Sequence, residues 1–501
     1  MKHSFKKVFL IVLDGFGLAL ASDKNPVSLA GMSFLNSLIT KFPAMSVVAS
    51  GLVVGLPWGK PGNSEVGHSA IGTGRVIIQD WARINSDIKS GEFFKNKALF
   101  AAAQHAKENS TALHIIGCTS PGGIHAHEDH AIALLEFAAR ENLPHVYLHM
   151  ITDGEDAGPV ESLATLQRLK PAHAQIASVM GRMYGMDRVA NWELTRAAFD
   201  TMTGKGEVHP DTVEAYLSEM HAQNIFDDQI PPARFQDVAI KDNDAVVFFN
   251  YRNDRMKQLV SLFTKQFVVT MTRYANDLPV AAVAYEPADI HHTLGKEIDR
   301  RGLKQFRVAE AEKAAHINNF FNGGRIDPYD GTEQIIVSSR QLKGTEYLAH
   351  PEMSAREITK ELLARIEKDF AFYLVNFANA DMMAHTGNID ATVAGLNVID
   401  ECLQTIATAV LASPDHALVI TCDHGNCEEL VDPATGGPDT QHSAVNVIAV
   451  FAGEGLEQAT SKNLDTLASE EPAGSLVDIA PSILHLLSFE KPPEMSGSTL
   501  L

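Results

Sequence analysis

The sequence predicts an α/β fold with mostly parallel sheets, and three observations carry that prediction. Short apolar runs bounded by turn residues alternate with helix-period patterns along the chain. The runs lead into Asp, Asn, Gly, His or Arg, the groups that a parallel sheet presents beyond the carboxyl ends of its strands. With 501 residues, 45% of them hydrophobic and 21% charged, the chain can bury sizeable cores rather than stay disordered. At about 150 residues per domain, roughly three units are the starting expectation.

The first element is the run 8–13, which ends in Asp14-Gly15. Lys6-Lys7 ahead of it imitates a secretory start, but Asp14 ends the run after six residues. A signal h-region needs about 7–15 residues and a membrane span about 20, so a soluble, cytoplasmic protein is expected. The run 113–117 leads to Gly122-Gly123-Ile124-His125, and 146–152 ends in Asp153-Gly154-Glu155-Asp156. Next, 176–180 ends in Gly181-Arg182 and 245–249 in Asn250-Tyr251-Arg252. Finally, 370–377 leads to Asn379-Ala380-Asp381 and 417–421 to Cys422-Asp423-His424. At any one strand, Asp and Gly are equally explained as turn starters; the repetition is the signal. Runs ending in Asp and His lie near both chain ends, and those followed by Arg lie in the middle. One domain built from both ends, with a second inserted, accounts for that distribution. The polar stretch 453–471 reads as loop with one exposed helix and has no functional reading.

Lys+Arg number 41 against Asp+Glu 62, a net charge of −21. Such a chain repels nucleic acid and anionic membranes over most of its surface, and a phosphate site within it must be a local concentration of cations. Four cysteines are too few for a disulfide framework and fit a reducing compartment.

Asp14, Asp381, His385, Asp423, His424 and His442 are short oxygen or imidazole ligands in loops after expected strands or in Gly/Thr-rich turns. The set suits Mn²⁺ or Zn²⁺, and its mixture of hard and borderline donors points to Mn²⁺. Asp381 and His385 face one way if their segment is helical, although 21 histidines make the spacing weak by itself. Asp423-His424-Gly425-Asn426, directly after a buried run, is more specific, with an ordinary Asx turn as its bland alternative. A thiolate site at Cys422 and Cys427 is rejected: no second cysteine pair accompanies them, and Cys422 continues an apolar strand.

Gly59-Lys60-Pro61-Gly62-Asn63-Ser64-Glu65-Val66-Gly67-His68 joins a Gly/Pro-rich turn to a helix start. Ser64 is there either an N-cap or a nucleophile at free backbone N–H groups. Metal ligands elsewhere favour the nucleophile, because coordination lowers a serine hydroxyl's pKa. In mid-chain, Arg182, Arg188, Arg252 and Arg255 follow expected strands, with His125 and Lys313 as further candidates. Together they suit the phosphate and carboxylate of a small anionic substrate. Singly, each is equally a salt-bridged surface residue, since Asp187 and Asp254 are neighbours.

Assembled, these residues resemble the cofactor-independent phosphoglycerate mutases of the alkaline phosphatase superfamily. The resemblance runs from Val8 to about His442. It is carried by Leu13-Asp14-Gly15-Phe16-Gly17, residues 62–68, 181–188 and 310–324, Pro351-Glu352-Met353-Ser354-Ala355, and 423–428. It implies an alkaline-phosphatase-like domain from residues 1–78 and 311–501 and an inserted transferase domain at 79–310. Hinges would lie near Gln79-Asp80 and 309–311. It also implies two Mn²⁺, with Mg²⁺, Co²⁺ or Zn²⁺ as substitutes, and no 2,3-bisphosphoglycerate. Asp14, Ser64, Asp423 and His424 would hold one metal, and Asp381, His385 and His442 the other. His125, Asp156, Arg182, Arg188, Arg252, Arg255 and Lys313 would grip substrate. The implied reaction is the glycolytic and gluconeogenic exchange of 3- and 2-phosphoglycerate through phosphoserine at Ser64. Asp156 would be the acid/base, and domain closure would exclude water. The implied partner is this small molecule alone, with no nucleic acid or membrane, and the implied state is a monomer.

Where the family pattern reads Asp-Gly-Arg-Asp, this chain has Glu155, an anion in place of a cation. Residues 338–349 lack the family's Ser-Pro-Lys-Val stretch, and Lys60 and Lys343 are candidates for the missing charge. Two alternatives stand beside the mutase: a metal-dependent phosphatase or a mutase of another phospho-sugar, and a weakened homologue that only binds phospho-ligands.

Overall fold

The apolar run after Lys6 forms the strand Lys7–Leu13, with every residue after Lys7 buried. It lies inside an eight-stranded sheet, between Phe372–Phe377 and His416–Thr421, and is parallel to both. Burial on both faces explains why these strands read as unbroken apolar runs rather than alternating ones. Next outward, Gln305–Glu310 and then Thr332–Val337 continue the parallel order. On the other side Val447–Gly453 runs antiparallel, followed by Ala44–Val48 and the short Gly474–Ser475. The helices Ala355–Leu363, Ile389–Val410 and Ile479–Leu486 contribute their apolar faces to this core.

This computed structural model describes residues 4–287, 290–325, 327–339, 344–432 and 435–501. The chain forms two units, Met1–Ile78 with Asp289–Leu501, and Gln79–Ala288, rather than roughly three. The second division falls earlier than the expected 310/311. Gln305–Glu310 pairs with Phe372–Phe377, with Val308 opposite Val375, so residues 305–310 are integral to the first unit's sheet.

The second unit holds a seven-stranded sheet in the order Ala233–Arg234, Ile176–Gly181, Val146–Thr152, Leu113–Cys118, Ala245–Phe248, Phe267–Thr272, Ala282–Tyr285. Only the edge strand Ala233–Arg234 is antiparallel. All seven expected apolar runs are strands to within a residue or two. The stretch 453–471 carries one helix, Leu464–Ser469, closed by a capping box and burying Leu464 and Leu467, so it is less exposed than expected. Among the described residues, no helix is long and apolar enough to cross a membrane.

Candidate active site

In the first unit, three adjacent parallel strands each deliver one carboxylate at their carboxyl ends. Asp14 follows Lys7–Leu13 directly, Asp423 follows His416–Thr421 by one residue, and Asp381 lies on the helix Asn379–Ala384 after Phe372–Phe377. Gly15 makes their approach possible. Its φ is +73°, and a Cβ there would stand 2.7 Å from Asp381 Cβ. The backbone ties the segments together: Gly15 N–H donates to Asp423 Oδ1 at 3.1 Å, and Asp381 N–H donates to the Asp14 carbonyl at 3.0 Å.

Asn63, not Ser64, caps the helix Ser64–Thr73, accepting from Val66 N–H. Ser64 is therefore the first helical residue, with its hydroxyl released from capping. Its Oγ lies 3.1 Å from Asp14 Oδ1, 2.9 Å from His424 Nε2 and 2.9 Å from Lys313 Nζ. The helix packs closely because residue 67 is glycine; a Cβ there would meet the Asp423 carbonyl oxygen at 2.3 Å.

The expected ligands assemble into two groups. Asp381 Oδ1, His385 Nε2 and His442 Nε2 form a triangle with sides of 3.3, 3.3 and 3.4 Å. His424 Nε2 lies 3.5 Å from Asp14 Oδ1 and 3.6 Å from Asp423 Oδ2, beside Ser64 Oγ. Donors about 2.0–2.2 Å from a shared cation stand at such separations from one another. Each ring also presents its Nδ1 to a backbone carbonyl: His385 to Thr440 at 2.9 Å, His442 to Gly62 at 3.0 Å, His424 to Gly425 at 3.2 Å. That arrangement fixes Nδ1 as the donor and turns the Nε2 lone pair inward, the tautomer that a metal needs. Asp423 Oδ2 is buried without a hydrogen-bond donor. The residues present thus fit a pair of divalent cations. Ligand-type atoms of Asp14, His68 and Asp423, and of Asp381, His424 and His442, also lie within 4.8 Å of one another.

The charges are strongly coupled. Burial opposes ionisation of Asp14 and Asp381, but Lys313 beside them and neighbouring histidines hold both carboxyls well below the usual range. Burial alone would discharge Lys313; Asp14, Asp381 and Asp423 instead hold it above its ordinary value. Its Nζ donates to Asp14 Oδ1 at 2.5 Å and Asp381 Oδ2 at 2.8 Å. Burial likewise opposes protonation of His424, yet Asp423, Asp14 and Asp381 push it up to about 9. A cation at Nε2 would take the place of that proton. All four cysteines are free and buried, and burial raises the Cys422 and Cys427 thiols, which keeps them protonated.

Six of the seven expected substrate residues belong to the second unit and Lys313 to the first. The six also sit beyond strand ends. Arg182 follows Ile176–Gly181 and is 2% exposed, donating to Asp153 Oδ1 at 2.5 Å and Asp156 Oδ2 at 2.7 Å. His125 lies 3.6 Å from both Asp156 and Asp254. Asp254 also receives Arg188 at 2.8 Å and Arg252 at 3.2 Å. Burial, reinforced by Arg182 and Arg252, lowers His125 to about 4, so the ring is neutral at pH 7. Glu155, the family departure, lies 3.2 Å from Arg182 and 3.6 Å from Arg255. Lys60 is an exposed loop residue; Lys343 lies outside the described residues.

Several residues that complete these clusters were not singled out from the sequence. Asp153 and Asp254 stood inside quoted motifs but were read as turn or neighbour residues. Glu428 accepts from Gly17 N–H at 3.0 Å, Asn426 N–H at 2.9 Å and the Ser443 hydroxyl, which locks the loop bearing Asp423 and His424. Asn376 and His68 lie beneath Ser64 and Asp14. The signal for Asn376 was a lone amide near the end of an otherwise apolar run.

Residues 6–491 match the model of the Metalloenzyme superfamily. The chain is 39% identical over 519 residues to the 2,3-bisphosphoglycerate-independent phosphoglycerate mutase of Clostridium novyi (strain NT), covering 99% of both chains. It is 38% identical over 522 residues to the protein of that name from Coxiella burnetii (strain RSA 493 / Nine Mile phase I), covering 99% of this chain and 98% of that one. Among solved structures it is similar to Leishmania mexicana phosphoglycerate mutase at low cobalt concentration. The TM-score is 0.72 with 26% identity, over 99% of this chain and 97% of that one.

Proposed function

This chain belongs to the 2,3-bisphosphoglycerate-independent phosphoglycerate mutase family, within the Metalloenzyme superfamily, and on that premise we propose that Ser64 carries a phosphoryl group between the 3- and 2-hydroxyls of glycerate. The observation that carries the reading is the surroundings of Ser64 Oγ: a carboxylate, an imidazole and an ammonium within 3.1 Å, at 6% residue exposure, beside two sets of metal-ligand atoms. Metal set one is Asp14, Ser64, Asp423 and His424; set two is Asp381, His385 and His442. The mixed carboxylate and imidazole donors favour Mn²⁺. When bound, the two cations lower the pKa of the serine hydroxyl and offset phosphoryl charge.

Ser64 Oγ, as the alkoxide that the bound cations would favour, attacks phosphorus of 3-phosphoglycerate; the new Oγ–P bond forms as the P–O3 bond breaks, leaving phosphoserine and glycerate. Lys313 Nζ, 2.9 Å from Oγ, stabilises the negative charge on the transferring oxygens. Asp156 gives a proton to O3 and, once glycerate has turned, takes the proton of O2 as that oxygen attacks phosphorus; the O2–P bond forms as the P–Oγ bond breaks, giving 2-phosphoglycerate and returning Ser64 Oγ to its starting state. Arg182, Arg188, Arg252, Arg255 and neutral His125 hold the carboxylate and hydroxyls of glycerate through these steps. The burial of Ser64 matters to the outcome, because water reaching phosphoserine would turn a mutase into a phosphatase.

The test supplies 3-phosphoglycerate to purified protein with Mn²⁺ or with chelator, without 2,3-bisphosphoglycerate, and follows 2-phosphoglycerate, free phosphate and the mass of the Ser64 peptide. Chelator-sensitive mutase turnover with a phosphorylated Ser64 peptide and little free phosphate is expected. Steady phosphate release would assign a phosphatase instead, and turnover without phosphoserine would remove Ser64 from the mechanism.

A further inference from the structure

Beneath the nucleophile lies a pair of polar groups that no step above uses. Asn376 is fully buried near the end of Phe372–Phe377, and His68 is fully buried one helical turn after Ser64. Asn376 Nδ2 stands 2.7 Å from Asp14 Oδ2 and 3.0 Å from His68 Nε2. His68 Nδ1 stands 2.8 Å from the Ser64 carbonyl oxygen, with Asp423 Oδ2 at 3.1 Å.

These distances determine the hydrogens. Asp14 is paired with Lys313, whose Nζ lies 2.5 Å from Oδ1, so Oδ2 is a carboxylate oxygen that accepts and the Asn376 atom facing it is the amide nitrogen; the flipped amide would set oxygen against oxygen at 2.7 Å. The unflipped orientation leaves Asn376 Oδ1 buried without a partner, a cost that is tolerated for the sake of the nitrogen end. The second amide hydrogen then points at His68 Nε2, which must accept, and His68 must carry its proton on Nδ1. That proton is donated to the Ser64 carbonyl, which fixes the backbone from which Oγ projects.

We propose that Asn376 and His68 form a positioning couple. One amide fixes the Asp14 carboxylate on its Oδ2 side, freeing Oδ1 for Ser64, and through the His68 tautomer it also anchors the first turn that carries the nucleophile. The couple joins a β-strand end to a helix start through hydrogen bonds, so it orders Asp14 and the first turn without bringing in a further acid or ammonium. The inference rests on the reading of Asp14, Ser64 and Asp423 given above, and it assigns these two residues no contact with substrate.

Three measurements test it. First, ¹⁵N-histidine spectra of the Mg²⁺-loaded protein, with His68 assigned by its loss in His68→Asn, are expected to show the Nδ1–H tautomer; an Nε2–H tautomer overturns the couple. Second, Asn376→Leu, of similar volume but without the amide, is expected to weaken Mn²⁺ binding in equilibrium dialysis and to lower kcat. Each loss is expected to be about 10- to 100-fold, with KM for 3-phosphoglycerate within about twofold. Wild-type Mn²⁺ affinity and kcat, or a loss confined to KM, overturns it. Third, His68→Asn places an amide nitrogen where Nδ1 was, and His68→Gln places one where Nε2 was. The Asn variant is expected to stay within about threefold of wild-type kcat and the Gln variant to fall about tenfold or more; equal losses overturn the couple. Should Asn376→Leu fail to fold, as a thermal melt would reveal, the spectrum and the His68 pair decide. If wild-type protein never forms phosphoserine, the proposed function falls, while tautomer and Mn²⁺ affinity still judge the couple.

Discussion

Asp14, Asp381, Asp423, Lys313 and His424 in the first unit are all at 4% exposure or less, whereas the Arg188 and Arg252 side chains of the second are 49% and 50% exposed. The first group sets three carboxylates against one lysine and draws a proton onto His424 to reduce the excess. The second sets Arg182, Arg188, Arg252 and Arg255 against Asp153, Glu155, Asp156 and Asp254, an even balance in which Arg182 and Asp153 are buried and Arg188 and Arg252 are within reach of water. Buried acids in surplus call for cations that stay. The solvated Arg188 and Arg252, both paired with Asp254, can exchange that partner for a passing anion at little cost. On the proposed function, the same formal charges would serve a resident metal pair in one unit and a transient substrate in the other.

Ser64→Ala separates the two most sharply. It should lower kcat by about 10³-fold or more, while leaving binding of 3-phosphoglycerate to the second unit's arginines within a few-fold by calorimetry. A surviving fraction of activity above a few per cent would show that phosphoryl transfer does not use Ser64.

Lys313→Met probes the charge surplus itself. With chelator present, removing the ammonium that faces Asp14 and Asp381 should destabilise the protein by about 3–5 kcal/mol, the cost of leaving buried charges unpaired. Added Mn²⁺ should recover much of that loss, because the cations offset the same carboxylates. Urea melts with and without metal check both halves. A loss of equal size in the two conditions would show that Lys313 is a packing residue.

Protons distinguish the units by sign. In the second unit, burial lowers His125 to about 4 and His130 to about 3, and His149 is lowered as well. A histidine whose folded pKa lies below its unfolded value near 6.5 stabilises the fold above pH 6.5, and the contribution disappears as pH falls through the folded value. His125 alone accounts for on the order of 3 kcal/mol by pH 4. In the first unit, His316 and His416 are lowered, but His385 and His424 are raised. The raised pair stabilise fully below pH 6.5 and lose their effect as pH climbs, for His424 through about 9. Hydrogen exchange of the metal-free protein at pH 7, 5.5 and 4.5 should therefore show residues 79–287 opening first on acidification. Earlier opening of 4–78 and 290–501 would reverse the comparison.

What the sequence made legible follows the same division between local and distant causes. Strands buried on both faces leave continuous apolar runs, and Asp14 and Asp423 were readable because they come directly after such runs. The strand Gln305–Glu310 was not, because Gln305, Arg307 and Glu310 break its apolar pattern although all three are buried. The expected boundary at 310/311 came instead with the family resemblance, whereas the chain divides at 288/289. Lys313 was legible as a candidate cation but not by location, since its partners Asp14, Ser64 and Asp381 are 299, 249 and 68 residues away. Asn376 was passed over because one amide near the end of an apolar strand is a faint signal that names no partner; only folding shows Asp14 and His68 on either side of its nitrogen.

Glu155 gives the smallest effect and the closest test of the second unit's balance. As an anion where the family pattern has a cation, it was expected to oppose substrate; in the structure it spends its charge on Arg182 and Arg255. Its side chain is 50% exposed, so water screens both pairs and each is worth at most about 1 kcal/mol. A substrate carboxylate or phosphate arriving at these guanidinium groups must displace Glu155 first. Glu155→Gln should therefore lower KM for 3-phosphoglycerate by about two- to fivefold with kcat unchanged, and Glu155→Arg somewhat more, both effects shrinking in high salt. A raised KM would mean that Glu155 holds Arg182 and Arg255 in place for substrate, and the second unit would then depend on fixed pairing as strictly as the first.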